Sequence, residues 1–240
     1  MAFMKKTQAG DKKGDVTWLI GVDEVGRGPL AGPVTVGAVA VKINGNIAQT
    51  YKNLRKKLME ISGKEYPMGV DSKKMKEVDR DFWHEVVKEC EKIKERAGNS
   101  FYISVQSRSA LSIDQKGIAV CIADLVDLNI KKILNKIQKK EPNAELQNLR
   151  ILLDGSLKTS LKVGNQKTII KGDEKELLIS LASVYAKVTR DEYMRNISKN
   201  PKYNQYGFEI HKGYGTVNHR RAISKYGISD EHRKSFCGRC

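Results

Sequence analysis

Residues 17–41 read TWLIGVDEVGRGPLAGPVTVGAVAV, two apolar runs on either side of a glycine- and proline-rich turn. Thr17 to Val22 is too short for a helix and reads as a buried strand. Val34 to Val41, valines interleaved with small residues, reads as a second strand. The turn between them, residues 26–33, lets the two pair as a hairpin. That hairpin commits the chain to a sheet. Helices and strands then alternate along the rest of the chain: an amphipathic helix over Met75 to Arg96, with Val78, Phe82, Val86, Cys90 and Ile93 on one face; a strand at Phe101 to Val105; a long helix through Ile118, Ile122, Leu125, Ile130, Ile133 and Ile137, ending near Lys140 and preceded by a Ser112–Gln115 capping pattern; strands at Leu149 to Leu153 and Thr168 to Ile170; a helix from Lys175 to about Ile197; and a last helix near Val217 to Lys225. Strands first, then helices alternating with strands, predict an α/β fold with a mixed central sheet flanked by helices and a small helical C-terminal segment.

The 240 residues suit one full domain. We expect a flexible basic leader over 1–15, a main α/β domain over 16–198 and a basic C-terminal segment over 199–240. Residues 43–69 are polar and lysine-rich, an excursion with one short helix near Leu54 to Ile61. No run approaches the ~20 apolar residues that span a bilayer, and the start of the chain lacks the apolar core of a signal peptide. The expectation is a cytoplasmic monomer with no membrane partner. Cys90 and Cys121 fall within helical apolar patterns and read as buried thiols. Cys237 and Cys240 form a lone C-x-x-C without the second pair that a structural zinc site needs. Lysine and arginine outnumber aspartate and glutamate by 44 to 28, a net charge of +16, which favours a polyanionic partner.

Four acidic residues share one setting, the end of an apolar strand or the start of a helix. Asp23 and Glu24 follow the first strand, Asp154 follows ILL, and Asp173 follows TII and Lys171-Gly172. Carboxylates on neighbouring strand ends converge in space even when far apart in sequence. Hard divalent cations take such oxygen ligands, and two of them clamp a phosphodiester. Taken singly, each acid has a plain structural reading: Asp154-Gly155 as a turn, Asp173 as a helix cap.

The surrounding motifs tip the balance. GVDEVGRGPLAGPV places an acidic pair before a loop whose glycines permit close backbone approach and whose Arg27 can hydrogen-bond a phosphate or sugar. The block resembles the signature of the ribonuclease HII family. Further blocks resemble that family in the same order: Asp71-Ser72-Lys73-Lys74; Ile113-Asp114 with Gly117-Ile118; Leu153-Asp154-Gly155; Lys171-Gly172-Asp173; SVYAKVTRD from Ser183 to Asp191; HKGYGT from His211; and HRKSF from His232. They span residues 21–236. The sister family, ribonuclease HIII, usually lacks the Gly-Arg-Gly triplet that this chain carries.

The resemblance implies a ribonuclease H-like fold and two ions of Mg²⁺ or Mn²⁺ held by four catalytic carboxylates, Asp23, Glu24, Asp154 and Asp173. It implies cleavage of the RNA strand of RNA–DNA hybrids. It also implies nicking on the 5′ side of single ribonucleotides in duplex DNA, leaving 3′-hydroxyl and 5′-phosphate ends. It assigns reading of the ribose 2′-hydroxyl to Gly26, Arg27 and Gly28, packing on the neighbouring deoxyribose to Tyr214, and phosphate contacts to Ser72, Lys73 and Lys187. On the expected helix, Ser180, Ser183, Lys187 and Asp191 form a polar stripe facing substrate. His211 is a candidate general base, though two ions make one unnecessary. A binding protein of this fold without catalysis is the alternative, and the presence of all four carboxylates argues against it.

Overall fold

The computed structural model describes residues 17–43, 45–68, 74–97, 100–144 and 146–238. The expected leader, Ser72, Lys73 and Cys240 lie outside them. Strands β1 (Trp18–Val25) and β2 (Val34–Lys42) form the hairpin, with Trp18 opposite Lys42 and Asp23 opposite Gly37. Strand β3 (Phe101–Arg108) extends it antiparallel to β2. On the other side β4 (Leu149–Asp154) runs parallel to β1, and β5 (Asn165–Ile169) runs parallel to β4 at the edge. The order is β3-β2-β1-β4-β5, a mixed five-stranded sheet.

The helices are α1 (Ile47–Ser62), α2 (Glu77–Ala97), α3 (Ala110–Lys116), α4 (Ile118–Lys140), the single turn α5 (Gly172–Lys175), α6 (Leu177–Ser198), the single turn α7 (Phe208–His211) and α8 (Val217–Tyr226). Alternation along the strands sorts the core into two layers. Trp18, Ile20, Val22, Val34, Val36 and Ala38 meet the apolar face of α4. Leu19, Val39, Val41, Ile103 and Leu152 lie in one layer with α6, α1 and α2, and α2 also packs directly on β3.

Helix α6 lies unusually close to the sheet, and two glycines allow it. A Cβ on Gly21 would fall 2.4 Å from the Leu178 carbonyl carbon and 2.5 Å from the Ile179 nitrogen. One on Gly37 would fall 2.5 Å from the Ala182 oxygen. Gly37 pairs with Asp23, so this approach sets the distance between α6 and the acidic end of β1. Gly21→Ala and Gly37→Ala should each destabilise the fold by about 2 kcal/mol or more, because helix backbone cannot yield as a side chain would. Denaturant unfolding checks this; variants within about 0.5 kcal/mol of wild type, the range of ordinary surface changes, would refute the close packing.

Four expectations need correction. Asp23 and Glu24 do not follow β1 but belong to it, because pairing with β2 continues to Val25–Thr35. The ladder needs only backbone groups, so it runs past the last apolar residue. The short helix near 54–61 is the sixteen-residue α1, capped by the Asn46 side chain on the Gln49 amide and ended by Gly63 at φ 67°. The capping residue ahead of the long helix is Ser109, whose Oγ accepts from the Ser112 amide; α3 then breaks at Gly117 before α4 begins. On α2 the buried face carries Trp83, Val86, Val87 and Cys90, together with Arg80 and His84, while Val78 is 78% exposed. Val86 and Cys90 of the expected face are therefore buried, while in the first turns Arg80 and His84 take the place expected of Val78 and Phe82. Cys90 and Cys121 are buried thiols, as expected.

Candidate active site

Val22 pairs with Leu153 across the parallel β1–β4 ladder. The next residue on each strand is Asp23 and Asp154, so the two lie side by side at the carboxyl ends of adjacent strands. Both project toward α6, on the same side as Leu19 and Leu152. Glu24 completes a group in which a carboxylate oxygen from each of Asp23, Glu24 and Asp154 lies within 4.8 Å of the others. Asp23 and Asp154 are held by named donors. The Asp23 carboxylate accepts from the Glu24 amide at 2.7 Å and from the Ser183 hydroxyl on α6. Asp154 Oδ1 accepts from the Gly172 amide at 2.6 Å. Burial, then the neighbouring Glu24 and Asp154 charges, push the Asp23 carboxyl well above its usual range, against the opposing Ser183 hydrogen bond. Three acids thus share a small volume, one of them almost without solvent, and a cation relieves all three.

Asp173 stands beside this group rather than in it. It is buried at the start of α5, its carboxylate accepts from the Glu174 amide at 3.1 Å, and its neighbour Gly172 carries the amide that holds Asp154. Behind it, the Tyr66 hydroxyl lies 2.9 Å from Ser180 Oγ, and burial with the Asp173 charge pushes that phenol up. The polar stripe of α6 is therefore occupied within the protein. Ser180 meets Tyr66, Ser183 meets Asp23, and Lys187 donates to both oxygens of Asp191 at 2.6 and 2.5 Å. Arg80 adds a longer contact to Asp191 at 3.9 Å. The Lys187 ammonium is buried and paired in this arrangement, and burial lowers its pKa.

The loop after β1 is fixed from beneath by two buried arginines. Arg190 of α6 donates to the carbonyls of Pro33 (2.8 Å), Lys212 (2.9 Å) and Ala31 (3.1 Å). Arg233 donates to Gly26 (2.7 Å), Arg27, Gly32 and Pro33 (each 3.0 Å). Both residues are 0% exposed. Burial, then the like charge of Arg190, pulls the Arg233 guanidinium down to about 9. Gly26, at φ 85°, is required by this packing, since a Cβ there would strike the Arg190 side chain at 2.4 Å. Gly28 is different: a Cβ there would meet nothing within 4 Å. The Arg27 side chain points outward and approaches Glu24 at 3.5 Å. Tyr214, 37% exposed, stands over the Arg190 guanidinium at 5.7 Å, and the preceding Gly213 carbonyl accepts from the amides of Leu30 and Ala31. The loop after β1 and Tyr214 are thus joined through Arg190 and Gly213, and the Arg27 side chain links the loop to Glu24.

Sequence reasoning missed Arg190, Arg233, His219 and His232. Charged residues are almost never fully buried unless paired, so the two arginines carried no core signal. Position within the blocks VTRD and HRKSF was the available clue. His211 is no base for these carboxylates: its Nδ1 accepts from the Gly213 amide and its Nε2 donates to the Tyr206 carbonyl at 2.7 Å.

His219 and His232 are buried with their Nε2 atoms 3.1 Å apart. Burial, reinforced by the neighbouring His211, pulls both from the usual 6.5 to about 4. The unfolded chain therefore binds these protons below pH 6.5 and the folded chain only near 4. Stability is full above 6.5 and falls as pH drops toward 4, by on the order of 3 kcal/mol for each ring. Asp23, raised rather than lowered, acts in the opposite sense. Melting temperatures at pH 7 and 4.5 for wild type and His232→Gln isolate the histidine contribution, and the variant should drop less. An equal drop in both would exclude a buried neutral pair.

A mixed sheet of this order, flanked by helices and carrying carboxylates at the ends of β1 and β4, defines a ribonuclease H-like protein with a candidate cation-binding centre. The family model for Ribonuclease HII matches residues 20–239, and the chain belongs to that family. The Ribonuclease HII of Clostridium beijerinckii is 37% identical over 93% of this chain and 68% of its own length. That of Fusobacterium nucleatum is 35% identical over 91% and 85%. Among solved structures, the PCNA:RNase HII complex from Archaeoglobus fulgidus is similar at TM-score 0.54 and 20% identity, over 90% of this chain and 93% of that one. Bst-RNase HIII in complex with Mn²⁺ is similar at TM-score 0.59 and 18% identity, over 92% and 68%. These two show the fold. The chain is accordingly a ribonuclease H, a hydrolase of a metal-dependent family that acts on RNA–DNA substrates. No helix among the described residues is long and apolar enough to cross a membrane.

Proposed function

We propose that this enzyme is an endonuclease that hydrolyses the RNA strand of RNA–DNA hybrids and nicks on the 5′ side of single ribonucleotides in duplex DNA, leaving 3′-hydroxyl and 5′-phosphate ends. The observation that carries the reading is the adjacency of a three-carboxylate cluster and a loop whose Gly28 faces open space. Asp23, Glu24 and Asp154, with Asp173 beside them, would hold two ions of Mg²⁺ or Mn²⁺. The oxygen-only donor set and the crowded negative charge around buried Asp23 fit hard divalent cations. Bound there, the ions supply Lewis acidity to the attacking and leaving oxygens of a phosphodiester.

The protein's own groups do the positioning. Ser183 and the Glu24 amide fix Asp23; the Gly172 amide fixes Asp154. Gly26, Arg27 and Gly28 read the ribose 2′-hydroxyl, with the space at Gly28 admitting the sugar. Tyr214 packs on the adjoining deoxyribose. Ser72, Lys73 and Lys187 contact phosphates, Lys187 by exchanging Asp191 for substrate. The basic segment 199–240 supplies the rest of the duplex-binding face, and the enzyme works as a monomer. The test is cleavage of a labelled DNA duplex containing one ribonucleotide, with and without Mg²⁺ or Mn²⁺. Metal-dependent nicking 5′ of that nucleotide is expected; binding without nicking would favour a non-catalytic relative of the fold.

A further inference from the structure

The two halves of the proposed sugar-reading surface come from distant parts of the chain, residues 26–28 and residue 214, yet adjacent residues of the C-terminal segment hold both. Arg233 takes the loop half, donating to the carbonyls of Gly26 and Arg27. His232 takes the tyrosine half through a chain of neutral rings. Its Nδ1 accepts from the Ser229 amide at 2.9 Å, which leaves the proton on Nε2. That Nε2–H donates to His219 Nε2 at 3.1 Å, so His219 carries its proton on Nδ1 and donates to the Tyr214 carbonyl at 2.9 Å. Every donor in this chain has one acceptor, and burial keeps both rings uncharged. The backbone pins the same place: the Arg233 amide donates to the Leu30 carbonyl at 2.8 Å, and His232 bridges Ala31.

We infer that His232 and Arg233 are positioning residues that clip the Gly-Arg-Gly loop to Tyr214 and so set the spacing by which the enzyme recognises a ribonucleotide–deoxyribonucleotide junction. This rests on the proposed roles of the loop and of Tyr214. The contacts that hold Asp23 and Asp154 come from β1, α5 and α6 and not from the clip, while the loop reaches the cluster through the Arg27 side chain, 3.5 Å from Glu24. Loosening the clip therefore weakens cleavage at a single ribonucleotide, where one junction must be read, more than cleavage within a long hybrid, where many registers serve.

The experiment measures kcat and KM on a single-ribonucleotide duplex and on a long hybrid, with melting temperatures, for wild type, His232→Leu, His232→Gln, Arg233→Lys and Tyr214→Ala. His232→Leu should lower the single-ribonucleotide to hybrid ratio about tenfold, the size of one buried hydrogen bond left unmade. His232→Gln, whose amide can still donate toward His219, should restore much of the ratio. Arg233→Lys, charged but unable to span the same carbonyls, should lower it as His232→Leu does and serves if the leucine variant does not fold. A ratio unchanged in folded variants, equal losses on both substrates, or no recovery with glutamine would each overturn the clip. Tyr214→Ala separates the two ideas. If it leaves the ratio unchanged, the sugar-reading role fails; if it lowers the ratio while the clip variants do not, the clip alone fails.

Discussion

Asp23→Asn should reduce cleavage by at least about a thousandfold at saturating Mg²⁺ while leaving the metal-free protein as stable as wild type or more so. The loss follows from charge. A divalent ion contributes several kcal/mol of transition-state stabilisation, and about 1.4 kcal/mol corresponds to each tenfold in rate. An amide keeps the shape of Asp23 but removes the charge and weakens ligation. The stability gain follows from the same geometry read without metal. Asp23 is buried beside Glu24 and Asp154, and its carboxyl is pushed up first by desolvation and then by those charges. A neutral side chain suffers neither, and its amide oxygen can still accept from Ser183 and the Glu24 amide. Divalent cation should raise the wild-type melting temperature, since a ligand that binds only the folded state adds stability as its concentration exceeds Kd. The variant should lose most of that rise. The measurements are single-turnover rates and melting curves with and without Mg²⁺. Substantial residual cleavage, or a metal-induced rise equal to wild type, would remove Asp23 from the ion-binding set.

How far the sequence alone reaches is clear from particular elements. The β1–β2 hairpin is readable because β-branched runs and a glycine-proline turn coincide, and its register then places Asp23 beside Gly37. The convergence of Asp23 with Asp154 needs only the inference that β1 and β4 are neighbours. The face of α2 is readable at Val86 and Cys90 but not in its first turns, where Arg80 and His84 are buried in place of Val78 and Phe82. Nor is the break at Gly117, where an apolar period runs on through a glycine that changes the chain direction at φ 81°. Arg190 and Arg233 are the plainest case. All their partners but the Lys212 carbonyl are carbonyls of a loop more than 150 residues away in sequence, and carbonyls leave no mark on side-chain pattern. The same holds for His219, whose acceptor is the main chain of Tyr214. Sequence pattern records burial of apolar surface; polar anchoring of a loop becomes visible only once the loop is folded.

The largest discrimination expected of this enzyme is between a duplex containing one ribonucleotide and the same duplex in DNA alone. A site that hydrogen-bonds one hydroxyl rejects the analogue lacking it by about 10⁴ or more, because its own polar groups are left unpaired. The loop is suited to that role. Arg190 and Arg233 take its carbonyls inward, so it does not have to reorganise on binding, and nothing within 4 Å occupies the space a Cβ would fill at Gly28. Tyr214 is suited to testing the next sugar: its ring is partly exposed, set against the Arg190 guanidinium, and tied to the loop through the Gly213 carbonyl. A flat ring packs well on a deoxyribose, whereas a 2′-hydroxyl at that position would meet apolar surface without a partner. Tyr214→Ala should therefore cost single-ribonucleotide cleavage roughly tenfold to a hundredfold, the range for burying or exposing one sugar-sized apolar contact, and cost cleavage in long hybrids much less. Product lengths and initial rates on three end-labelled duplexes decide it: one ribonucleotide, a long hybrid, and all DNA. Wild type should cut the first at a single position 5′ of the ribonucleotide, the second at many positions, and the third not at all. An enzyme that cuts the hybrid but ignores the single ribonucleotide would read hybrid shape alone, and the surface formed by Gly26, Arg27, Gly28 and Tyr214 would then need another explanation.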